Sequence, residues 1–315
     1  MSETVKVGPW GAPGGQRCDI NTGSRPQRLN SITVGWVSCD GPVTSTDLIT
    51  CFSFGYVDQN DEQINVSVAD NFHVIGKITQ SQRIPLGPDD QLNFVSGTFD
   101  SSNGITSLVL RINQDSYGPY GSPAGTAFSV PLRTGAGEEV AFFGRGSNTL
   151  NALGVYVLGK DGLPVMIGPW PCFSINKNIN LPVQLKSVSV HHNTQRIYGF
   201  SFSCIDQNGE CIPAGPWGST NQPPQSLPIR PGEYVNNITG TFDDYGVTSL
   251  QFTTNKGAAV LCGRRSGTNF SVPLPDNAVA GHPNHNTAVL GFFGRSEGDS
   301  LAALGVYVGS CPSHE

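Results

Sequence analysis

The chain has 315 residues, with 39 glycines, 23 prolines and 13% charged residues, and sets 18 basic against 24 acidic side chains for a formal charge of −6. That length divides most naturally into two modules of about 150 residues, each long enough to bury its own core. The composition excludes nucleic acid as a partner, since no cluster of lysine and arginine could neutralise a run of phosphates, and it favours short strands and tight turns over amphipathic helices.

Taken in chain order, Met1-Ser2-Glu3-Thr4-Val5-Lys6 lacks the apolar segment of a secretory signal, and no later stretch reaches the roughly 18 apolar residues of a membrane span. The expectation is a cytoplasmic protein, or one shared with the nucleus, whose eight cysteines are free thiols. The glycosylation sequons at Asn65, Asn237 and Asn269 carry no weight in that setting. Side chains alternate with a period of two: Ile32, Val34 and Trp36 share one strand face, and Leu108, Leu110 and Ile112 another. Strand candidates recur about every ten residues between clusters of Gly, Pro, Asn and Asp, the pattern of a sandwich, barrel or prism.

The two halves repeat each other at a period of about 150 residues, which marks a domain duplication. Gly8-Pro9-Trp10 returns as Gly168-Pro169-Trp170, and the Arg28–Val34 segment as Gln184–Val190. Phe52-Ser53-Phe54 with Asp58-Gln59-Asn60 matches Phe200-Ser201-Phe202 with Asp206-Gln207-Asn208. Gly97-Thr98-Phe99-Asp100 matches Gly240-Thr241-Phe242-Asp243, and Phe128-Ser129-Val130-Pro131-Leu132 matches Phe270-Ser271-Val272-Pro273-Leu274. Phe142-Phe143-Gly144-Arg145 and Leu153-Gly154-Val155-Tyr156 return as Phe292-Phe293-Gly294-Arg295 and Leu304-Gly305-Val306-Tyr307. Gly159–Pro164 is the natural linker, so the expected domains are 1–160 and 161–315.

These motifs, with Gly-Gly at Gly14-Gly15, Tyr117-Gly118-Pro119-Tyr120-Gly121 and Gly125-Thr126-Ala127-Phe128, resemble the jacalin-related lectins over roughly 5–158 and 165–308. The resemblance implies an all-β chain of two tandem type I β-prisms, each of three four-stranded antiparallel sheets in pseudo-threefold arrangement. It also implies a non-enzymatic, cofactor-free lectin for mannose- or glucose-type glycans, including those of glycoproteins, with a homodimer as a candidate state. In such lectins an aspartate just before the Ala-(Leu/Ile)-Gly strand, with backbone N–H groups, holds vicinal sugar hydroxyls. A carboxylate makes hydrogen bonds roughly twice as strong as neutral ones, and glycine lets backbone approach the ligand.

This sequence departs from that pattern in both halves. The first carries Asn151 at the aspartate position and Ser147 four residues earlier, beside Gly146. The second keeps Gly298 but has Ala302 in place of the acid, and Pro171-Cys172 follow its Gly168-Pro169-Trp170. The resemblance therefore implies a weak or altered sugar site in the first domain, made of Gly14, Gly15, Tyr120, Ser147, Asn148, Thr149 and Asn151, and a degenerate site in the second. Tyr120 stacks on the sugar or packs its loop, and Asn151 binds sugar or satisfies loop backbone. If neither binds, the prism serves structure or protein contacts.

Other candidates for chemistry have plainer readings. Asp58, Asp206, Asp100 and Asp243 are expected to build turns by bonding their own backbone. No nucleophile elbow, zinc-binding His-Glu-x-x-His or phosphate loop occurs, so no enzyme is expected. Cys204 and Cys211 flank a turn but lack standard metal spacing, and no metal is proposed. His191 and His192 should face opposite sides of a strand, and His282 and His285 lie in a polar insertion.

Overall fold

The computed structural model describes residues 4–20, 24–38, 48–70, 78–132, 139–158, 164–170, 181–275 and 287–310. The chain divides into two compact units: Lys6–Leu158, and Gly159–Glu315 taken together with Met1–Val5. All regular structure among the described residues is β-strand.

In the first unit, β1 (Thr4–Gly11), β12 (Leu150–Leu158), β11 (Glu139–Gly146) and β2 (Gln16–Cys18) form one sheet in that order. The second sheet runs β5 (Gln63–Asp70), β4 (Ile49–Asp58), β3 (Pro26–Ser38) and β6 (Ile78–Pro85). The third runs β10 (Thr126–Pro131), β7 (Leu92–Asp100), β8 (Gly104–Ile112) and β9 (Asp115–Gly121). Each sheet has a hairpin of consecutive strands at its centre and one strand on either side. Three such sheets around one core are a β-prism.

The second unit repeats the plan. Its first sheet is β13 (Val165–Trp170), β23 (Ser300–Ser310) and β22 (Thr287–Glu297), and the position matching β2 falls within 171–180, outside the described residues. Its second is β16 (Cys211–Gly218), β15 (Ile197–Asp206), β14 (Pro182–His192) and β17 (Pro224–Pro228). Its third is β20 (Ala259–Gly263), β19 (Gly246–Thr254), β18 (Val235–Asp243) and β21 (Thr268–Pro273).

Alternation delivers the inward faces to the core. Leu108, Leu110 and Ile112 are buried while Arg111 is exposed. Trp36 is half-buried and tilted against Tyr120 at 4.9 Å, and the following Val37 is buried as well. The β3–β4 register shifts here because β4 carries one extra residue, Thr50, between the partners of Gly35 and Trp36. In the first unit Phe142 meets the edges of Phe52 and Phe54 at 5.0 and 5.5 Å, and in the second Phe292 meets Phe200 and Phe202 at 4.9 and 5.2 Å. Trp10 stacks on Phe128 at 5.0 Å, as Trp170 does on Phe270 at 4.8 Å.

The Asp-Gln-Asn repeats are turns. Asp58 Oδ1 accepts the Asn60 and Glu62 amides at 2.8 and 2.9 Å, and Oδ2 accepts the Ser24 hydroxyl at 3.0 Å. Asp206 Oδ1 accepts the Asn208 and Glu210 amides at 2.9 and 3.0 Å. Burial alone would raise the Asp58 pKa, but these hydrogen bonds to the ionised form outweigh it and hold the carboxyl below its usual 3.8. A depressed folded-state pKa contributes stability that is complete above the unfolded value and is lost as pH falls through the folded one. The urea-midpoint difference between the parent protein and Asp58→Asn should therefore be constant at neutral pH and shrink below about pH 4. A difference that stays constant down to pH 2 would contradict this role.

Among the described residues, Cys18, Cys51, Cys204, Cys211 and Cys262 are unpaired. Cys204 pairs with Ile212 and Cys211 with Ile205 across β15–β16, so the two thiols leave opposite faces of the hairpin. Burial pushes the thiols of Cys51, Cys204 and Cys262 up to about 11. Cys39, Cys172, Cys311, His282 and His285, and the linker residues 159–163, lie outside the described residues.

Candidate functional site

Gly11–Gly15, which joins β1 to β2, lies against the hairpin turn between β11 and β12. The Ala12 amide donates to the Asn151 carbonyl oxygen at 2.8 Å, and Arg145 Nη1 donates to the Pro13 carbonyl oxygen at 3.0 Å. Gly15 has φ +83°, and a Cβ there would stand 2.6 Å from Asn151 Oδ1 and 2.8 Å from the Gly146 carbonyl oxygen. A Cβ on Gly14 would stand 3.5 Å from Asn151 Nδ2. Only glycine satisfies both the left-handed backbone and this close approach at position 15.

The turn itself is short. The Ser147 amide donates to the Thr149 carbonyl oxygen at 3.0 Å, and the Ser147 hydroxyl donates to Asn151 Oδ1 at 2.8 Å. The Asn151 side chain is thereby fixed facing the Gly14-Gly15 backbone. A third element borders it: a Cβ on Gly104, which opens β8 after the β7–β8 turn, would stand 2.7 Å from Asn151 Cα and 2.6 Å from the Leu150 carbonyl oxygen. In that turn Asp100 Oδ1 accepts the Ser102 and Asn103 amides, both at 2.9 Å. The sequence offers a signal for this wall in the glycine that follows Asp-Ser-Ser-Asn, but its neighbour across the prism cannot be read from local pattern.

Gly14, Gly15, Ser147 and Asn151 thus come together, with Asn148 and Thr149 in the same turn. Tyr120 does not join them. It is 2% exposed, packs on Trp36 and donates its hydroxyl to Gln82 Oε1 at 3.0 Å. Burial pushes its hydroxyl pKa up to about 12. Of the two roles open to Tyr120 in the sequence, the packing role is the one its surroundings support. The reason is positional: it follows Gly118-Pro119 as Trp10, Trp170 and Trp217 follow Gly8-Pro9, Gly168-Pro169 and Gly215-Pro216, and all four aromatics are buried.

The threefold plan allows the Asn151 position to be followed into other sheets. The residue after the glycine that ends the matching edge strand donates to the equivalent carbonyl: Ala12 to Asn151, Ser122 to Thr106, Ser219 to Tyr198 (and also to Asp299), and Arg264, where Val260-Leu261-Cys262-Gly263 replaces the Gly-Pro-aromatic-Gly motif, to Thr248. Thr106 and Thr248 turn their hydroxyls onto loop carbonyls, Ala124 at 2.7 Å and Ser266 at 2.6 Å, and so close their own loops. Tyr198 receives Asn193 Nδ2 on its hydroxyl at 3.3 Å. In the second unit's first sheet the position is the buried Ala302. Among these described positions, Asn151 alone places an amide beside glycine backbone. Its arrangement can accept and donate hydrogen bonds to a small polyhydroxylated ligand, with backbone close enough to touch it.

His191 and His192 are spent on neighbouring loops. His191 Nδ1 lies 2.6 Å from the Gln222 carbonyl oxygen, and His192 Nδ1 accepts the Gly263 amide at 3.1 Å.

Replacing Gly15 with alanine should displace Asn151 or the Gly146 backbone and cost about 1–3 kcal/mol, the scale of a forced left-handed conformation. The check is a urea melt of Gly15→Ala beside Gly14→Ala, whose Cβ meets only ordinary contact; equal loss in the two would contradict the crowding at Gly15.

Three antiparallel sheets around one core, present in two copies, with a polar loop cluster at the end of the first, define a tandem β-prism protein. Residues 7–156 and 173–307 match the Jacalin-like lectin domain, and the chain belongs to that family. It is 28% identical over 339 residues to a mannose/glucose-specific lectin of Parkia pendula, an alignment that takes in 97% of this chain and 65% of that protein, so the chain spans about two thirds of its length. Horcolin of Hordeum vulgare is 31% identical over 160 residues, covering 50% of this chain and 99% of its own. Among solved structures, a mannose binding jacalin related lectin from Ananas comosus is 25% identical with a TM-score of 0.40, covering 47% of this chain and 98% of that one.

Proposed function

We propose that this protein binds glycans, taking mannose- or glucose-type sugars at the loop end of the first unit through Gly14, Gly15, Ser147, Asn148, Thr149 and Asn151, and that its role is recognition and not catalysis. The observation that carries the reading is the Asn151 amide held against the Gly14-Gly15 backbone by Ser147. The family membership supports the class of ligand, and the Parkia pendula relative is a mannose/glucose-specific lectin by description. Asn151 supplies a neutral carbonyl acceptor where a carboxylate would make bonds about twice as strong, so the affinity is low. The corresponding position of the second unit, Ala302, offers no side-chain acceptor and takes no part.

Titration of methyl α-mannoside into the full chain, followed by amide resonances, tests this. Saturable shifts confined to Gly14, Gly15 and Ser147–Asn151 are expected. A spectrum unmoved at high sugar concentration would overturn the reading and leave the prism as a scaffold for protein contacts.

A further inference from the structure

Six edge strands lie beside the second strand of a central hairpin, and four of them, β1, β9, β13 and β16, contain Gly-Pro. Proline has no amide to offer a further strand. β5 and β20 lack it. The edge of β5 is covered, since the Cys18 thiol of β2 donates to the Ser67 carbonyl oxygen at 3.1 Å. In β20, Cys262 stands opposite Leu250 as Tyr120 stands opposite Leu108, so Leu261 takes the place of Pro119.

Hydrogen bonding fixes which way β20 turns its backbone. The Thr254 amide donates to the Ala258 carbonyl oxygen at 2.9 Å and the Arg264 amide to that of Thr248 at 3.1 Å, so the alternate residues Ala258, Val260, Cys262 and Arg264 face β19. Ala259, Leu261 and Gly263 direct their peptide groups outward. Gly263 is held by the second sheet, its amide donating to His192 Nδ1 at 3.1 Å, and beside it the Cys262 thiol donates to Gln225 Oε1 at 3.5 Å. Among the described residues, nothing bonds to the outward amides and carbonyls of Ala259 and Leu261. The Leu261 side chain is 48% exposed. Open backbone, an apolar side chain and no proline make an edge that accepts another strand.

The edge is also cationic, on a chain whose formal charge is −6. Lys256, Arg264 and Arg265 are exposed at its two ends, and Arg265 donates through Nη2 to Gln251 Oε1, directly opposite Leu261. The acids of the flanking elements are Glu233, Asp243 and Asp244. Glu233 is buried and accepts the Thr254 hydroxyl at 2.7 Å, Asp243 is paired with Arg196 at 3.0 Å, and Asp244 is exposed in the β18–β19 turn.

We propose that β20 docks an extended acidic segment of a partner protein as a fifth strand of its sheet. An apolar residue of that segment lies opposite Leu261, exchanging both backbone hydrogen bonds with it, and carboxylates meet Lys256, Arg264 and Arg265. A second copy of β20 is the poorer occupant, because antiparallel pairing about Leu261 sets the Lys256 end of one copy against the Arg264-Arg265 end of the other. The docking does not involve Asn151 and is separate from the sugar site of the first unit.

The test is the binding of fluorescein-labelled Glu-Glu-Thr-Val-Thr-Glu-Glu to the full chain, read by anisotropy and by amide resonances. Saturable binding is expected, with shifts at Ala259–Gly263, and Lys-Lys-Thr-Val-Thr-Lys-Lys should not bind. A strand shows only alternate amides to its neighbour, so N-methylation of the valine should abolish binding and N-methylation of the two threonines should leave it. Arg264→Glu combined with Arg265→Glu should weaken binding about tenfold, and both positions are exposed, so the fold is kept. The proposal is overturned if the acidic peptide does not bind, if the lysine peptide binds as well, or if the two methylated peptides bind equally. It is also overturned if the Ala259–Gly263 amides shift with protein concentration alone, the sign of a second copy.

Discussion

Asn151→Asp is expected to tighten methyl α-mannoside binding about tenfold, and Asn151→Ala to remove it, because the first restores a charge and the second removes the amide altogether. The geometry needs no rebuilding for the aspartate. Ser147 already donates to the oxygen at that position, and the Gly14-Gly15 backbone already leaves space beside it. A carboxylate can then accept two vicinal hydroxyls where the amide offers one acceptor. An unpaired hydroxyl in the alanine variant costs about 1–3 kcal/mol, more than a shallow site for a monosaccharide has in reserve. Calorimetric titration of the three proteins checks this, and equal affinities for asparagine and aspartate would mean that the sugar does not touch position 151.

Phe292→Ala should destabilise the second unit by about 3–5 kcal/mol. Its ring is fully buried and meets Phe200 at 4.9 Å, Phe202 at 5.2 Å and Phe252 at 6.0 Å, so truncation leaves a cavity walled by three rigid rings that cannot close over it. These partners come from two other sheets, so the loss is felt by the whole core of the unit. Urea unfolding followed by second-unit amide resonances measures the loss; a change below 1 kcal/mol would show that the core repacks freely. Phe142→Ala is the matching control in the first unit, where Phe52 and Phe54 take the places of Phe200 and Phe202.

Much of the fold was legible because the duplication preserves order: Phe-Phe-Gly-Arg and Leu-Gly-Val-Tyr return in both halves, and both pairs form the central hairpin of a first sheet. Glycines at 14 and 15 and the Ser147–Asn151 turn were legible because each is short and continuous in the chain. Tyr120 was not, since adjacency in sequence does not say which side of a strand faces the core. The signal lay in comparing it with Trp10, and it was obscured because the Gly-Pro-aromatic motif occupies the third sheet of one unit and the second sheet of the other.

The strand that opens the second unit, β13, pairs directly with the strand that ends it, β23, with Val165 opposite Val308, and β1 and β12 are likewise neighbours in the first. The chain therefore enters and leaves each prism side by side, and a complete prism can be spliced in or cut out as a cassette without threading through its neighbours. Proteins built this way can lengthen in whole-prism steps, and each copy is free to lose or alter its recognition loops while another keeps them.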